Sequence, residues 1–184
     1  LKNKNIVYMP TIILQLNTMK KLVLFVCFLA AVACTNAQTK PFVPPAYIPD
    51  YKILTTDSVY VTPANLKKDK GTLIIYFAPD CSHCQRMMFE LKPHLKEFKN
   101  VQVIMITFVT NQAIKSMKTF ARDYGIDKYP NFTIGSEGYT YKVQQFYHIA
   151  TTPYLAFYNK AGKPVKYIEK EPKADDILAE VKKL

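Results

Sequence analysis

No second cysteine pair after residue 37, no continuous basic stripe, no internal repeat and no apolar run of membrane-spanning length occur in this 184-residue chain. Each absence narrows its reading. The four cysteines are Cys27, Cys34, Cys81 and Cys84. Structural zinc normally wants four ligands, and beside Cys81 and Cys84 only His83, His94 and His148 offer nitrogen. A zinc half-site is therefore disfavoured, and neither metal nor cofactor is expected. Covalent haem attachment needs Cys-x-x-Cys-His, and residue 85 is Gln. A structural bridge across so short a loop would constrain the unfolded chain little. The formal charge is +11, but Lys2, Lys4, Lys20 and Lys21 lie near the N-terminus; without them 21 basic residues face 14 acidic ones, or +7. Lys67-Lys68 and Lys182-Lys183 are short pairs, whereas nucleic-acid binding wants a patch interleaved with stacking aromatics. A solvated basic surface is expected, with no nucleic-acid partner.

The N-terminal residues follow a different logic. Met19-Lys20-Lys21 is a positive start, Leu22 to Ala33 is an apolar run of 12 residues, and small residues follow through Ala37. That is the layout of an export signal over residues 19–37, too short to span a membrane. Cleavage after Ala37 would release a soluble protein. Cleavage before Cys34 would give a lipid-anchored one, because Ala31-Val32-Ala33-Cys34 resembles a relaxed bacterial lipobox. An uncleaved anchor is the third alternative. Residues 1–18 precede the expected initiator Met19 and read as an upstream extension without structure. Residues 38–50 hold Pro41, Pro44, Pro45 and Pro49 and read as an extended tether.

From Tyr51 the pattern is that of a folded domain, residues 51–184. Val59-Tyr60-Val61 predicts a short strand, and Thr62 to Leu66 a capped helical turn. Thr72 to Ala78 and Val101 to Phe108 are continuous apolar strands of the kind buried on both faces. Met87, Met88, Leu91, Leu95 and Phe98 recur at helical spacing, so Ser82 to Phe98 reads as a helix kinked near Leu91 by Pro93. Asn111 to Tyr124 is amphipathic, with Ile114, Met117, Ala121 and Tyr124 on one face and Gly125 as its stop. Between Ile126 and Ile149 the pattern predicts a turn at Gly135-Ser136-Glu137-Gly138 and a short helix from Lys142 to Tyr147. Tyr154 to Tyr158 and Val165 to Ile168 form a hairpin across Asn159 to Lys163, and a last helix starts near Asp175. Strands alternating with helices predict an α/β sandwich, a central mixed sheet with helices on both faces.

The chemistry is concentrated in Cys81-Ser82-His83-Cys84, where the first apolar strand turns into a helix. Two cysteines at this spacing suit a dithiol that cycles with a disulfide. A helix start leaves N–H groups unpaired and carries about +0.5 of a charge, which favours a thiolate. A protonated His83 adds to that bias. A cysteine of ordinary pKa ~8.5 can fall to roughly 3.5–7.5 in such a setting.

Three pieces, in order, resemble the thioredoxin superfamily and, within it, the exported TlpA-like thiol–disulfide oxidoreductases of bacterial envelopes. They are Tyr76 to Cys84, Thr152-Pro153 before a strand, and the Asn159 to Lys163 turn after it. The resemblance implies a thioredoxin-like fold over Tyr51 to Leu184, with Cys81 as the exposed nucleophile and Cys84 as the shielded resolving thiol. It also implies that Pro153 is cis and packs on the dithiol, while the Thr152 backbone pairs with substrate. Three departures stand out. Asp80 replaces the tryptophan common before the first cysteine, in a chain without any Trp, and its charge opposes thiolate formation. Ile75 stands where thioredoxins proper carry a buried acid, and Pro93 lies later than the usual helix-kinking proline.

The expected function is an exported oxidoreductase, periplasmic or membrane-anchored in the bacterial envelope. It would act on protein disulfides through Cys81 and Cys84, with Asp80, His83, Thr152 and Pro153 in support. Ser-His between the cysteines resembles oxidising and isomerising members, whereas the TlpA-like resemblance implies reduction, which is the preferred direction. Its partners are protein thiols or disulfides and a redox donor, with Cys34 as a candidate lipid attachment point. The competing class is a non-catalytic, envelope-anchored binding module with an idle dithiol.

Overall fold

The computed structural model describes residues 20–25, 42–108 and 112–184. Residues 20–25 are helical; the rest of the expected export signal, including Cys27 and Cys34, and the expected extension 1–18 lie outside the described residues. Among the described residues no helix is long and apolar enough to cross a membrane. Val43–Leu184 form one compact unit.

The two continuous apolar runs become the centre of a seven-stranded sheet. Its strands are β1 (Ile53–Thr55), β2 (Tyr60–Val61), β3 (Gly71–Tyr76), β4 (Val101–Thr107), β5 (Phe132–Ser136), β6 (Tyr154–Tyr158) and β7 (Pro164–Glu169), in the order β2-β1-β5-β4-β3-β6-β7. The inner strands β3, β4 and β5 are parallel, and the outer ones are antiparallel to their neighbours. Among the described residues, four α-helices pack with it: α1 (Ser82–Leu91), α2 (Ala113–Tyr124), α3 (Lys142–Tyr147) and α4 (Ala174–Val181).

Because side chains alternate along a strand, an all-apolar strand feeds two cores. Leu73, Ile75, Val103, Met105, Leu155 and Phe157 point to one face, where they meet Cys84, Met87 and Met88 of α1, Met117 and Phe120 of α2, and Ile177 and Val181 of α4. Ile74, Tyr76, Ile104, Ile106, Tyr154, Ala156 and Tyr158 point to the other, with Val143 and Tyr147 of α3 and with Tyr51. The α/β sandwich with helices on both faces is therefore realised.

Several elements differ from expectation in instructive ways. The helix expected from Ser82 to Phe98 is two pieces: α1 ends at Leu91 and Lys92–Phe98 continue as tighter 3-10 turns. Pro93 has no N–H for the carbonyl four residues back, and its ring crowds that carbonyl. Gly135 and Ser136, expected in a turn, close strand β5 instead, and the turn begins beyond them at Gly138 with φ 63°. Gly135 fits because a Cβ there would lie 2.9 Å from the Ile53 side chain on β1. The buried face of α2 is Ala113, Met117, Phe120 and Ala121, with Ile114 and Tyr124 at its margin; Gly125, at φ 73°, ends the helix. Residues 43–50, the part of the Pro-rich stretch within this unit, run without regular structure along the second face. Tyr158 Oη donates to the Tyr47 carbonyl at 3.2 Å and Tyr167 Oη to that of Pro45 at 3.5 Å.

Candidate active site

The dithiol is delivered by β3, held centrally between β4 and β6. Beyond Tyr76 the chain stays tied down: Phe77 N–H donates to Ile106 O at 2.9 Å, and Cys81 N–H to Ala78 O at 3.1 Å. Gln85 Nε2 donates to Pro79 O at 2.8 Å, fastening the connection to the helix that follows. Cys81 is the extended residue just before α1, at φ −76° and ψ 119°. Its side chain therefore sits over the first turn, where backbone N–H groups have no helical partner.

The two sulfurs differ in environment. Both are free thiols; Cys81 is half-buried, whereas Cys84 is 0 % exposed among the apolar side chains of the first core. Partial burial works against ionising Cys81. It is outweighed by hydrogen bonding from the Thr152 side chain, the Cys84 N–H and thiol, and the His83 N–H, so that its pKa is lowered. Burial dominates at Cys84, with the neighbouring Cys81 sulfur adding to it, and the pKa is pushed up to about 12. On raising the pH, the outer sulfur therefore ionises before the inner one.

The chain brings Thr152 and Pro153 to the same place from the far side of the sheet. The Cys81 thiol donates to the Thr152 carbonyl at 3.4 Å, the Thr152–Pro153 peptide bond is cis, and Pro153 is buried. Cys81, Cys84 and Thr152-Pro153 thus form one cluster. His83 and Asp80 are placed differently. The His83 imidazole meets Glu171, its Nδ1 at 2.9 Å from Oε1, and it is the His83 backbone that acts on the Cys81 sulfur. Asp80 is exposed, in a shallow groove with Gln85, Lys115 and Asp123.

Glu171 is the residue of this neighbourhood that sequence reading missed. It lies in a Lys-Glu-Pro-Lys connection whose composition signals only a loop. Among the described residues no cluster of three His, Cys, Asp or Glu side chains is placed to hold a metal. Two roomy clefts, of about 560 and 500 Å³, are lined by residues of β1, β5 and their surroundings and by neither cysteine. Cys81 is thus presented partly exposed beside the Thr152-Pro153 loop and away from both clefts.

A mixed sheet with a thiol pair at the head of a helix, facing a cis-proline loop, defines a dithiol protein of the α/β sandwich class. The comparisons make this specific. The model for the Thioredoxin-like domain matches residues 62–184, and the chain belongs to that family. It is 32% identical over 78 residues to a probable protein disulfide-isomerase A6 of Medicago sativa, covering 40% of this chain and 21% of that one. The chain thus spans about a fifth of the length of that relative. Among solved structures, it superposes on a secreted disulfide oxidoreductase of Mycobacterium tuberculosis with a TM-score of 0.61 at 18% identity, covering 73% of this chain and 96% of that one. A thiol-disulfide oxidoreductase of Bacteroides fragilis gives 0.60 at 15% identity, over 74% and 98%. An exposed lipoprotein thioredoxin of Streptococcus pneumoniae gives 0.55 at 23% identity, over 73% and 99%. At such identities these structures speak for the fold.

Proposed function

We propose that the chain is a thiol–disulfide oxidoreductase of the bacterial envelope that reduces disulfides in protein substrates. The observation that carries this reading is the inequality of the two sulfurs: one accessible and biased to the thiolate, one buried and held as the thiol. Attack depends on thiolate fraction and access, and completion of the exchange on a second thiol within reach. The Cys81 thiolate attacks one sulfur of a substrate disulfide; that S–S bond breaks, a mixed disulfide forms, and the departing thiolate takes a proton from solvent. Bonding Cys81 removes its negative charge, one of the causes that hold Cys84 protonated. Cys84 then gives its proton to solvent and attacks Cys81. The intramolecular disulfide closes and the second substrate thiolate leaves, two electrons having passed to the substrate. A dithiol-bearing redox partner returns them.

Thr152 and Pro153 support this reading by lining the approach to Cys81. The half-exposed thiol on an open surface favours a protein segment over an enclosed small molecule. Export is supported by the signal-like residues 19–37, and Cys34 is the proposed lipid attachment point; the secreted and lipoprotein neighbours fit such a location. Equilibration with glutathione tests the direction: a potential near ~−270 mV fits a reductant, and one near ~−120 mV would overturn that direction in favour of an oxidant. A Cys84→Ala variant should trap substrates on Cys81 in an envelope fraction; an empty trap would favour a binding module. Labelling with radioactive palmitate reports on Cys34.

A further inference from the structure

His83 stands between the two cysteines, yet its imidazole is engaged elsewhere. Its Nδ1 lies 2.9 Å from Oε1 of Glu171, on the connection between β7 and α4. The backbone around Glu171 is built to place it. Lys170, the residue before, adopts a left-handed conformation at φ 71°, which L side chains enter only against steric resistance. Pro172, the residue after, is buried, and Lys173 leads directly into α4. Glu171 thus sits at a corner between a left-handed residue and a buried proline.

This corner adds little to stability through the pair itself. The side chains are 48% and 65% exposed, and exposed pairs are screened by water and salt. Strained backbone that positions a weakly stabilising contact beside a reactive group points to a role in the chemistry. The charged side chains of the two facing segments are Asp80 and Arg86 beside His83, and Lys170, Glu171 and Lys173 opposite; the 150–153 loop brings none. Of these, Glu171 is the one within ion-pair distance of His83.

We infer that Glu171 is a positioning residue that engages the His83 imidazole, so that positive charge there is balanced by a carboxylate instead of stabilising the Cys81 thiolate. A thiolate stabilised in the reduced state makes a dithiol more oxidising; withholding that stabilisation keeps the pair on the reducing side. The inference deepens the proposed reductase reading and rests on it. It also reconciles a Ser-His pair between the cysteines with a reducing role.

The test uses the full chain, with wild type, Glu171→Gln, His83→Ala and the double variant. Glu171→Gln should raise the equilibrium constant for oxidising glutathione about threefold, about 14 mV at ~30 mV per tenfold. It should also move the midpoint of Cys81 alkylation by iodoacetamide to lower pH while leaving Tm unchanged. In the His83→Ala background the same substitution should change neither quantity. Glu171→Asp, which shortens the reach, should reproduce the direction and serves if Glu171→Gln folds poorly. The inference is overturned if Glu171→Gln and Glu171→Asp match wild type, or if the shift persists without His83. Those results leave wild-type exchange intact; a wild type that fails to exchange with glutathione at all would instead overturn the proposed function, and the inference with it.

Discussion

The two faces of the sheet are built from the same strands but to different specifications. On the face that carries α1, α2 and α4, the strands contribute Leu, Ile, Val, Met and Phe, and Cys84 lies among them. On the other face the strands contribute Tyr76, Tyr154 and Tyr158, joined by Tyr51 and Tyr147. There three of the phenols are tied to polar partners, while the Tyr51 hydroxyl is buried without one: Tyr76 Oη donates to Glu137 Oε1 at 2.8 Å, the Tyr147 and Tyr158 hydroxyls bond each other, and Tyr158 reaches the Tyr47 carbonyl. Glu137, only 4% exposed, also accepts from the Val143 N–H at 2.9 Å, fixing the start of α3. The lesson is a division of labour. A sulfur that must remain a thiol until needed is set in a face with little to hydrogen-bond its charge, and the polar chemistry that fastens loops is kept on the opposite side.

Substitutions on the two faces should therefore differ in kind. Cys84→Ala on the first face is expected to abolish turnover of a disulfide substrate and to accumulate a mixed disulfide, read by mass spectrometry. Tyr158→Phe on the second should leave turnover at wild-type level. In denaturant melts, Phe157→Ala, which empties the first core of a fully buried ring, should lower stability by about 3–5 kcal/mol. Glu137→Ala strips the Tyr76 hydroxyl and the Val143 N–H of their acceptor, for roughly 1–3 kcal/mol. Tyr158→Phe removes one hydroxyl from its network and should lose about 1 kcal/mol.

The faces also separate by pH. Cys84 is raised from 9.0 to about 12 in the folded state, so its thiol contributes stability fully below 9.0 and loses it as the pH climbs towards 12. Burial raises Tyr76, Tyr147, Tyr154 and Tyr158 above 10.0, so their loss begins higher. Between about pH 9 and 10 the reduced protein should lose stability more steeply than Cys84→Ala, measured by urea unfolding. Equal slopes would mean that the first face does not hold the thiol neutral.

What was legible in the sequence follows the same contrast. The largely apolar runs at Thr72 and Val101 announced strands buried on both sides, because they carry no charge and the few polar residues in them, Thr72, Gln102 and Thr107, sit near their ends. The cysteine pair announced its own position at the strand–helix junction. Strand β5 did not: Phe-Thr-Ile-Gly-Ser lacks both alternation and an apolar run, and it forms because β4 and β1 flank it on either side. The tyrosine network was not legible either, since a hydroxyl's partner is set by tertiary register that no local pattern contains. Glu171 was invisible for a similar reason. Its partner lies in a distant segment, and the left-handed turn at Lys170 is carried by a residue type that does not signal it.

The most direct measurement is the pH dependence of alkylation of each cysteine in the reduced protein, followed by mass spectrometry of the labelled peptides. The account predicts that Cys81 titrates below 9.0 while Cys84 stays unmodified until the pH nears 12. Two sulfurs that react alike, or a Cys81 that titrates at or above 9.0, would contradict it.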